Sequence, residues 1–358
     1  MMRKACLIAG FAVGAAPAYA ESGLTLYGRI DTGIEYMNAV TNPHGGQSSR
    51  FRAESGDWGT SLWGLTGKED IGANTDIVFK LENSFNATNG QFSAPNSIWT
   101  RWAAIGLDNP RYGRLQVGRQ LFISYGTWDF DPFIMSSWSS ASLVRGRSWP
   151  ISSNNISYQS PAFHGFDFAA QYALSNATNW NGNGTTVQGR QGGFQITYTA
   201  PLFQIRGTYD EVRNPANGAL DDVFQYSKEY FVGANVFLAP FKLQAVWLSS
   251  HAGQVAPGAP SVTNQIWGGV SWQVDSQASL IAAIYHVNAN HGNGNATMYT
   301  LGGTYNLSKR TLLDFQMATV RNSKTGTFGL EANLPGSSTS PLPGQAQTGV
   351  YAGIQHTF

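Results

Sequence analysis

Segments in which apolar and polar side chains alternate recur along this chain up to Phe358, and that period of two constrains the fold more than any other feature. In LTLYGRIDTGIEY, residues Leu24, Leu26, Gly28, Ile30, Thr32, Ile34 and Tyr36 fall on one face, with Arg29, Asp31 and Glu35 on the other. FDFAAQYAL, GFQITY, FQIRGTYD, FKLQAVW, MYTLGGTYNL and TLLDFQM repeat the pattern, and GVYAGIQHTF carries it to the end. Successive side chains of a strand point to opposite faces, so each segment reads as a strand with one apolar face. Past residue 20 there is no uninterrupted apolar run of about 18 residues, the length a spanning helix needs.

The connections fall into two classes. EDIGAN (69–74), DNPRYG (108–113), SPAFHG (160–165), TAPL (199–202), LAPF (238–241), VDSQ (274–277) and NLSKR (306–310) read as tight turns. Between them lie longer stretches rich in Gly, Asn, Ser and Pro, such as NATNWNGNGTTVQGRQG, HAGQVAPGAPSVT and LPGSSTSPLPGQAQ. Seven turns imply about sixteen strands with both chain ends on the short-turn side. Charged residues make up 12% of the chain, against about 25% in an average soluble domain. Aromatic residues make up 13% and close many of the apolar faces, as in the girdles of membrane barrels. The expected fold is therefore all-β, a transmembrane antiparallel β-barrel of about 16 strands. A soluble sandwich or propeller shares the alternation and differs in having its apolar faces inside. In a closed barrel the first strand pairs with the last and leaves no free edge.

The front of the chain has a different character. MMRK is followed by ACLIAGFAVGAAPAYA, and Ala18-Tyr19-Ala20 has the small-residue form that precedes a cleavage site, so residues 1–20 read as a cleaved signal peptide and 21–358 as a single barrel domain. Cys6, the one cysteine, lies in that leader and leaves no thiol in the mature chain. The leader also takes two of the 22 Lys and Arg residues, so 20 stand against 21 Asp and Glu. That near-neutral balance gives no reason to expect a nucleic-acid partner.

These segments, in this order, resemble the Gram-negative general porins of the β-proteobacterial type. The resemblance rests on LTLYGRIDTGIEY, SLWGLTGKEDIGANTDIVFKLENSFNATNG, RWAAIGL with YGRLQVGRQ, NNISYQSPAFHGFDFAAQYALSN, YNLSKRT and the terminal HTF. It implies a homotrimer in the outer membrane, surrounded by lipid, that passes small hydrophilic solutes and ions. It also implies a third external loop folded into the pore, here about Leu121–Trp149. The acidic residues of that constriction are then Asp129 and Asp131, in WDFDPF. The basic wall opposite comprises Arg29, Arg101, Arg145 and Arg147. Arg119 and the loop NATNGQFSAPNS are the matching candidates for trimer contact.

The sequence departs from the family at one motif. Where the family has S-R-W-G-L-R-G, this chain has Ser61-Leu62-Trp63-Gly64-Leu65-Thr66-Gly67. Alternation from Trp63 and Leu65 puts Leu62 and Thr66 on the lumen side, so two expected cations are missing. Lys68 and Lys80 are partial replacements, and the anion preference common in the subgroup is in question. The loop is also aromatic. Trp128 and Trp138 read either as packing against the wall or as a platform for a sugar or aromatic solute.

Six scattered histidines show no metal-ligand spacing, and no nucleophile elbow or phosphate-binding loop is present. No catalytic residue, metal or cofactor is expected. A barrel-based adhesin or surface hydrolase is the remaining alternative from another class.

Overall fold

The computed structural model describes residues 23–42, 44–94, 96–134, 136–144, 146–147, 150–174, 189–331 and 339–358. The leader expected at residues 1–20 lies outside them. The first strands are β1 (Gly23–Thr41), β2 (Gln47–Ser55), β3 (Leu62–Asp70), β4 (Asp76–Ser84), β5 (Trp102–Asn109) and β6 (Gly113–Leu121). A one-turn helix, α1 (Ser140–Val144), precedes β7 (Ile151–Gln159), β8 (Phe166–Ala173), β9 (Gln191–Thr199), β10 (Phe203–Val212) and β11 (Lys228–Leu238). The chain continues through β12 (Phe241–His251), β13 (Val262–Gln273), β14 (Ala278–Ala289), β15 (Asn295–Asn306), β16 (Thr311–Asn322) and β17 (Gln347–Thr357).

All seventeen segments form one antiparallel sheet that closes on itself. The hub is β1. One of its edges pairs with β17 from Arg29↔Thr357 to Met37↔Gly349. Its other edge pairs with β3 over Gly23–Arg29 and with β2 over Thr32–Thr41. The segments β2 and β3 are therefore two halves of one crossing, interrupted at residues 56–61, and the barrel has sixteen spanning strands. Closure extends to the last residue, where Gly28 and Phe358 exchange backbone hydrogen bonds of 3.0 and 3.1 Å. This removes the free edge that would otherwise template aggregation. All seven expected tight turns connect strands on one side of the barrel. The opposite connections are uneven, from residues 290–294 to residues 122–150.

The burial pattern separates a barrel from a sandwich. Apolar side chains of the alternating faces point outward and stay exposed, including Ile34 (55%), Phe168 (51%) and Leu301 (50%). Polar and charged side chains such as Asp31, Glu82, Gln244 and Gln316 are buried inside. A continuous apolar belt of this size needs lipid around it. Aromatic pairs mark both rims. Phe241 stacks on Trp272 at 6.0 Å near the short turns, and Tyr209 meets Tyr230 at 5.3 Å toward the longer loops.

The inner face is not uniformly polar. On β12–β16 it carries Val246, Leu248, Trp267, Ile281, Tyr285, Val287, Met298 and Val320, all buried. They form one cluster with Phe130, Phe133, Trp138 and Leu143 of the 122–150 loop. Apolar lumen positions would be costly against water, so this half of the wall is a seat for the loop.

Candidate functional site

The loop between β6 and β7 folds into the barrel and packs on its inner wall. It leaves β6 as a 3-10 stretch, Ile123–Phe130, and turns at residues 131–134. The wall holds its backbone by side-chain donors. The Asp129 carbonyl accepts from Asn235 (3.2 Å), Gln244 (3.1 Å) and Lys242 (3.4 Å). The Phe130 carbonyl accepts from the Trp267 indole N–H at 3.1 Å, and the Trp138 carbonyl from Thr300 at 3.2 Å. Gln316 donates to the Ser136 hydroxyl at 2.6 Å. From the other side, the interruption of the β2–β3 crossing reaches in. Trp58 meets Phe133 edge-on at 6.2 Å, and the Asp57 carbonyl accepts from the Ser137 N–H at 3.0 Å. The break in alternation at GDWGTS is the only sequence trace of this prop.

The two loop carboxylates have separate fates. Asp129 is 41% exposed at its side chain and accepts a 2.6 Å bond from Arg206 on β10. Asp131 is 1% exposed and takes no part in lining the passage, contrary to the expectation from sequence. Its Oδ1 accepts from the Tyr285 hydroxyl (2.7 Å) and the Phe133 N–H (2.9 Å), and its Oδ2 from the Ser140 N–H (3.0 Å). Burial raises its pKa above the usual aspartate value even against these donors. It is a staple between loop, α1 and wall.

The expected basic residues also divide. Arg29 lies beside the loop and donates to the Thr60 carbonyl at 2.9 Å. It shares a recess with Trp58, Tyr125 and Trp128. Arg101, 8% exposed, donates to Glu82 at 2.6 Å and to the Tyr125 hydroxyl at 3.1 Å. Lys80 reaches the same carboxylate at 3.2 Å and lies 4.8 Å over the Trp102 ring. Arg147 does not belong to this wall. It is 5% exposed, ion-paired with Asp210 and with Glu229 at 3.0 Å, and donates to the Ser227 carbonyl at 3.1 Å. With both neighbouring carboxylates engaging it, its charge anchors the end of the loop to β10 and β11. Arg145 lies outside the described residues.

The two tryptophans differ as well. Trp138 is fully buried under Gly349 and Leu330, out of reach of any solute. Trp128 is 42% exposed, its ring 5.8 Å from Tyr125.

Register places the altered family motif as alternation implied. Leu62 pairs with Arg29 and Thr66 with Thr25, both on the lumen side. Lys68 is taken up by Asp76 at 3.2 Å near the short turns. Sequence reasoning missed Arg206 and Lys242 as wall residues that meet the loop. Both stood on polar faces in FQIRGTYD and FKLQAVW, but no local signal fixes which height on the wall the loop tip meets. Around the loop the inner wall carries Arg29, Lys80, Arg101, Arg206 and Lys242, and the carboxylates nearest them are Asp31, Glu82 and Asp129. Opposed cations and carboxylates across a narrow lumen sort solutes by charge and orient dipoles.

Comparison with known proteins agrees with this geometry. The family model described as Gram-negative porin matches residues 5–325. An outer membrane porin protein of Bordetella pertussis is 30% identical over 86% of this chain and 91% of its own length. Outer membrane porin protein 32 of Delftia acidovorans is 28% identical over the whole of both chains. Among solved structures, the anion-selective porin from Comamonas acidovorans superposes with a TM-score of 0.78 at 25% identity, covering 94% of this chain and all of that one. The barrel fold is shared with that solved porin, and the match of the family model over most of the chain shows that the chain belongs to the Gram-negative porins.

Proposed function

We propose that this outer-membrane porin filters small hydrophilic solutes at the eyelet between Asp129 and the cations Arg29, Lys80, Arg101, Arg206 and Lys242, with a preference for anions. One observation carries the reading. Asp129 is engaged by Arg206 and Glu82 by Arg101, and with Asp31 beside Arg29 the five cations still outnumber the three carboxylates. Arginine stays charged at any working pH, so this field is permanent. The similar porin from Comamonas acidovorans is anion-selective, and that likeness supports the same sign here. Loss of arginine at positions 62 and 66 is offset by Arg206 and Lys242 on the facing wall.

The test is the reversal potential of the purified protein in a planar bilayer across a potassium chloride gradient. A chloride-side reversal supports the reading, and a potassium-side reversal removes it. The reading extends to a homotrimer with one pore per chain, checked in the same recording by openings that arrive in groups of three. Arg119 is our candidate for the trimer contact. Its side chain is held by the Thr100 carbonyl at 2.9 Å and Ser153 at 2.6 Å. Residues 1–20 are assigned as the leader, and an amino-terminal sequence of the mature protein that starts at Glu21 supports this.

A second reading has its own observation. The exposed Trp128 beside Tyr125 offers an aromatic edge inside the passage, where a sugar or aromatic solute can stack. Solute-induced current block that Trp128→Ala removes would establish it.

A further inference from the structure

Between the 122–150 loop and the short turns, the inner wall of β5–β8 is built mainly from amides and hydroxyls. Register sets Gln116, Ser157 and Gln171 in one inward row across β6, β7 and β8. The next row toward the short turns holds Asp108, Arg114 and Gln159. With Gln120 and Trp102, these residues line a cavity of about 490 Å³, a volume in the range of small-molecule sites. Trp102 pairs in register with Glu82, and Pro110 and Pro161 lie at the other end. The cavity therefore runs from the charged wall beside the loop to the short turns.

Its chemistry is neutral and rich in hydrogen bonds. Among the described lining residues only Arg114 and Asp108 are charged, and they pair at 2.7 Å. Lys80, 4.8 Å over the Trp102 ring, is engaged by Glu82 at 3.2 Å. Gln120 is 1% exposed, and its Oε1 accepts from the Ser157 hydroxyl at 2.7 Å. Its Nε2 has no partner among the described residues, and neither has the Trp102 indole N–H. A buried donor without an acceptor is costly. Gln116 stands half-buried at the edge of the same space.

We propose that this cavity is a binding subsite for a neutral sugar of one or two rings. An amide holds a donor and an acceptor in one plane, which matches two adjacent hydroxyls, each a donor and an acceptor itself. Gln116, Gln120 and Gln171 supply such amides, and Ser157 adds a hydroxyl. Trp102 supplies the apolar contact for the C–H face of a sugar ring and a further donor. An ion finds no net charge on the lining, and an apolar solute leaves Gln120 unpaired. These residues are separate from Asp129, Arg206 and Trp128, so the inference stands whatever the sign of the eyelet's selectivity. A sugar held here makes its own flux saturable.

The experiment is current recording from the purified protein in a planar bilayer with sucrose on both sides, and in a parallel arm with hexaethylene glycol, an ether without adjacent hydroxyls. Currents are compared after correction for the conductivity of each solution. Sucrose should reduce the current saturably and add exchange noise, and the ether should do neither. Gln116→Leu and Gln120→Leu should each raise the half-blocking sucrose concentration about fivefold, the effect of one lost hydrogen bond. Both should keep the parent's heat-shifted gel mobility, which shows a closed barrel, and Gln116→Leu alone serves if the buried Gln120→Leu does not fold. A sucrose effect that never saturates, or that the ether reproduces, overturns the proposal. So does an unchanged half-blocking concentration in both variants. Block removed by Trp128→Ala and untouched by Gln116→Leu would place the sugar at the Trp128 edge and also overturns it.

Discussion

Arg206 on β10 donates a 2.6 Å charge-assisted hydrogen bond to Asp129, and its guanidinium sits 5.0 Å over the Phe130 ring of the same loop. One side chain thus holds the loop and sets the charge of the passage. Exposed ion pairs contribute up to about 1 kcal/mol, and Asp129 is 41% exposed, so the pair matters more for selectivity than for stability. Asp129→Asn should move the reversal potential further toward chloride. Arg206→Gln should move it toward potassium. Both should melt within a few degrees of the parent.

The Arg147 triad predicts the opposite balance. Arg147, Asp210 and Glu229 are 2–6% exposed at their side chains. Removing the cation leaves two carboxylates buried without it, and breaking such an arrangement costs about 3–5 kcal/mol. Arg147→Ala should therefore lower the heat-induced unfolding temperature seen by gel mobility far more than Asp129→Asn does. Adding Asp210→Asn and Glu229→Gln should recover most of the loss. A melting temperature equal to the parent's would show that the triad carries no anchoring energy.

The architecture was legible because its signal is repeated. A period of two over many segments and seven tight turns specify strand count, closure and the side of each chain end without reference to any one residue. The site was less legible because it is made by a loop crossing the barrel. Asp129 and Asp131 are two positions apart in one motif, yet one faces Arg206 and the other Tyr285, a choice made by the wall and not by the local sequence. The same holds for Arg147, whose partners lie 63 and 82 residues away in sequence. The both-sided apolar strand LIAAIYHV in β14 breaks the polar-inside rule because Trp138 and Phe133 cover its inner face. Alternation alone cannot reveal a cover supplied from elsewhere.

Three of the tryptophans at the loop, Trp128, Trp138 and Trp58, give graded outcomes. Trp128 is exposed, so Trp128→Ala should change the passage without changing the fold: conductance rises modestly and the melting temperature holds. Trp138 is fully buried and caps the apolar seat, and Trp58 is 7% exposed and props Phe133 at 6.2 Å. Truncating a buried tryptophan costs about 3–5 kcal/mol, and here that cost falls on the seating of the loop more than on the strand ladder, which closes without it. Trp138→Ala and Trp58→Ala should therefore keep the barrel's amide exchange protection in the strands while residues 122–134 lose theirs. Single-channel records should become noisy, with openings larger than the parent's, as the loop leaves the wall. Quiet openings of parental size from both variants would mean that the loop is held by its hydrogen bonds to the wall, those to Asn235, Gln244 and Gln316 among them, and that the apolar seat is not what keeps the pore narrow.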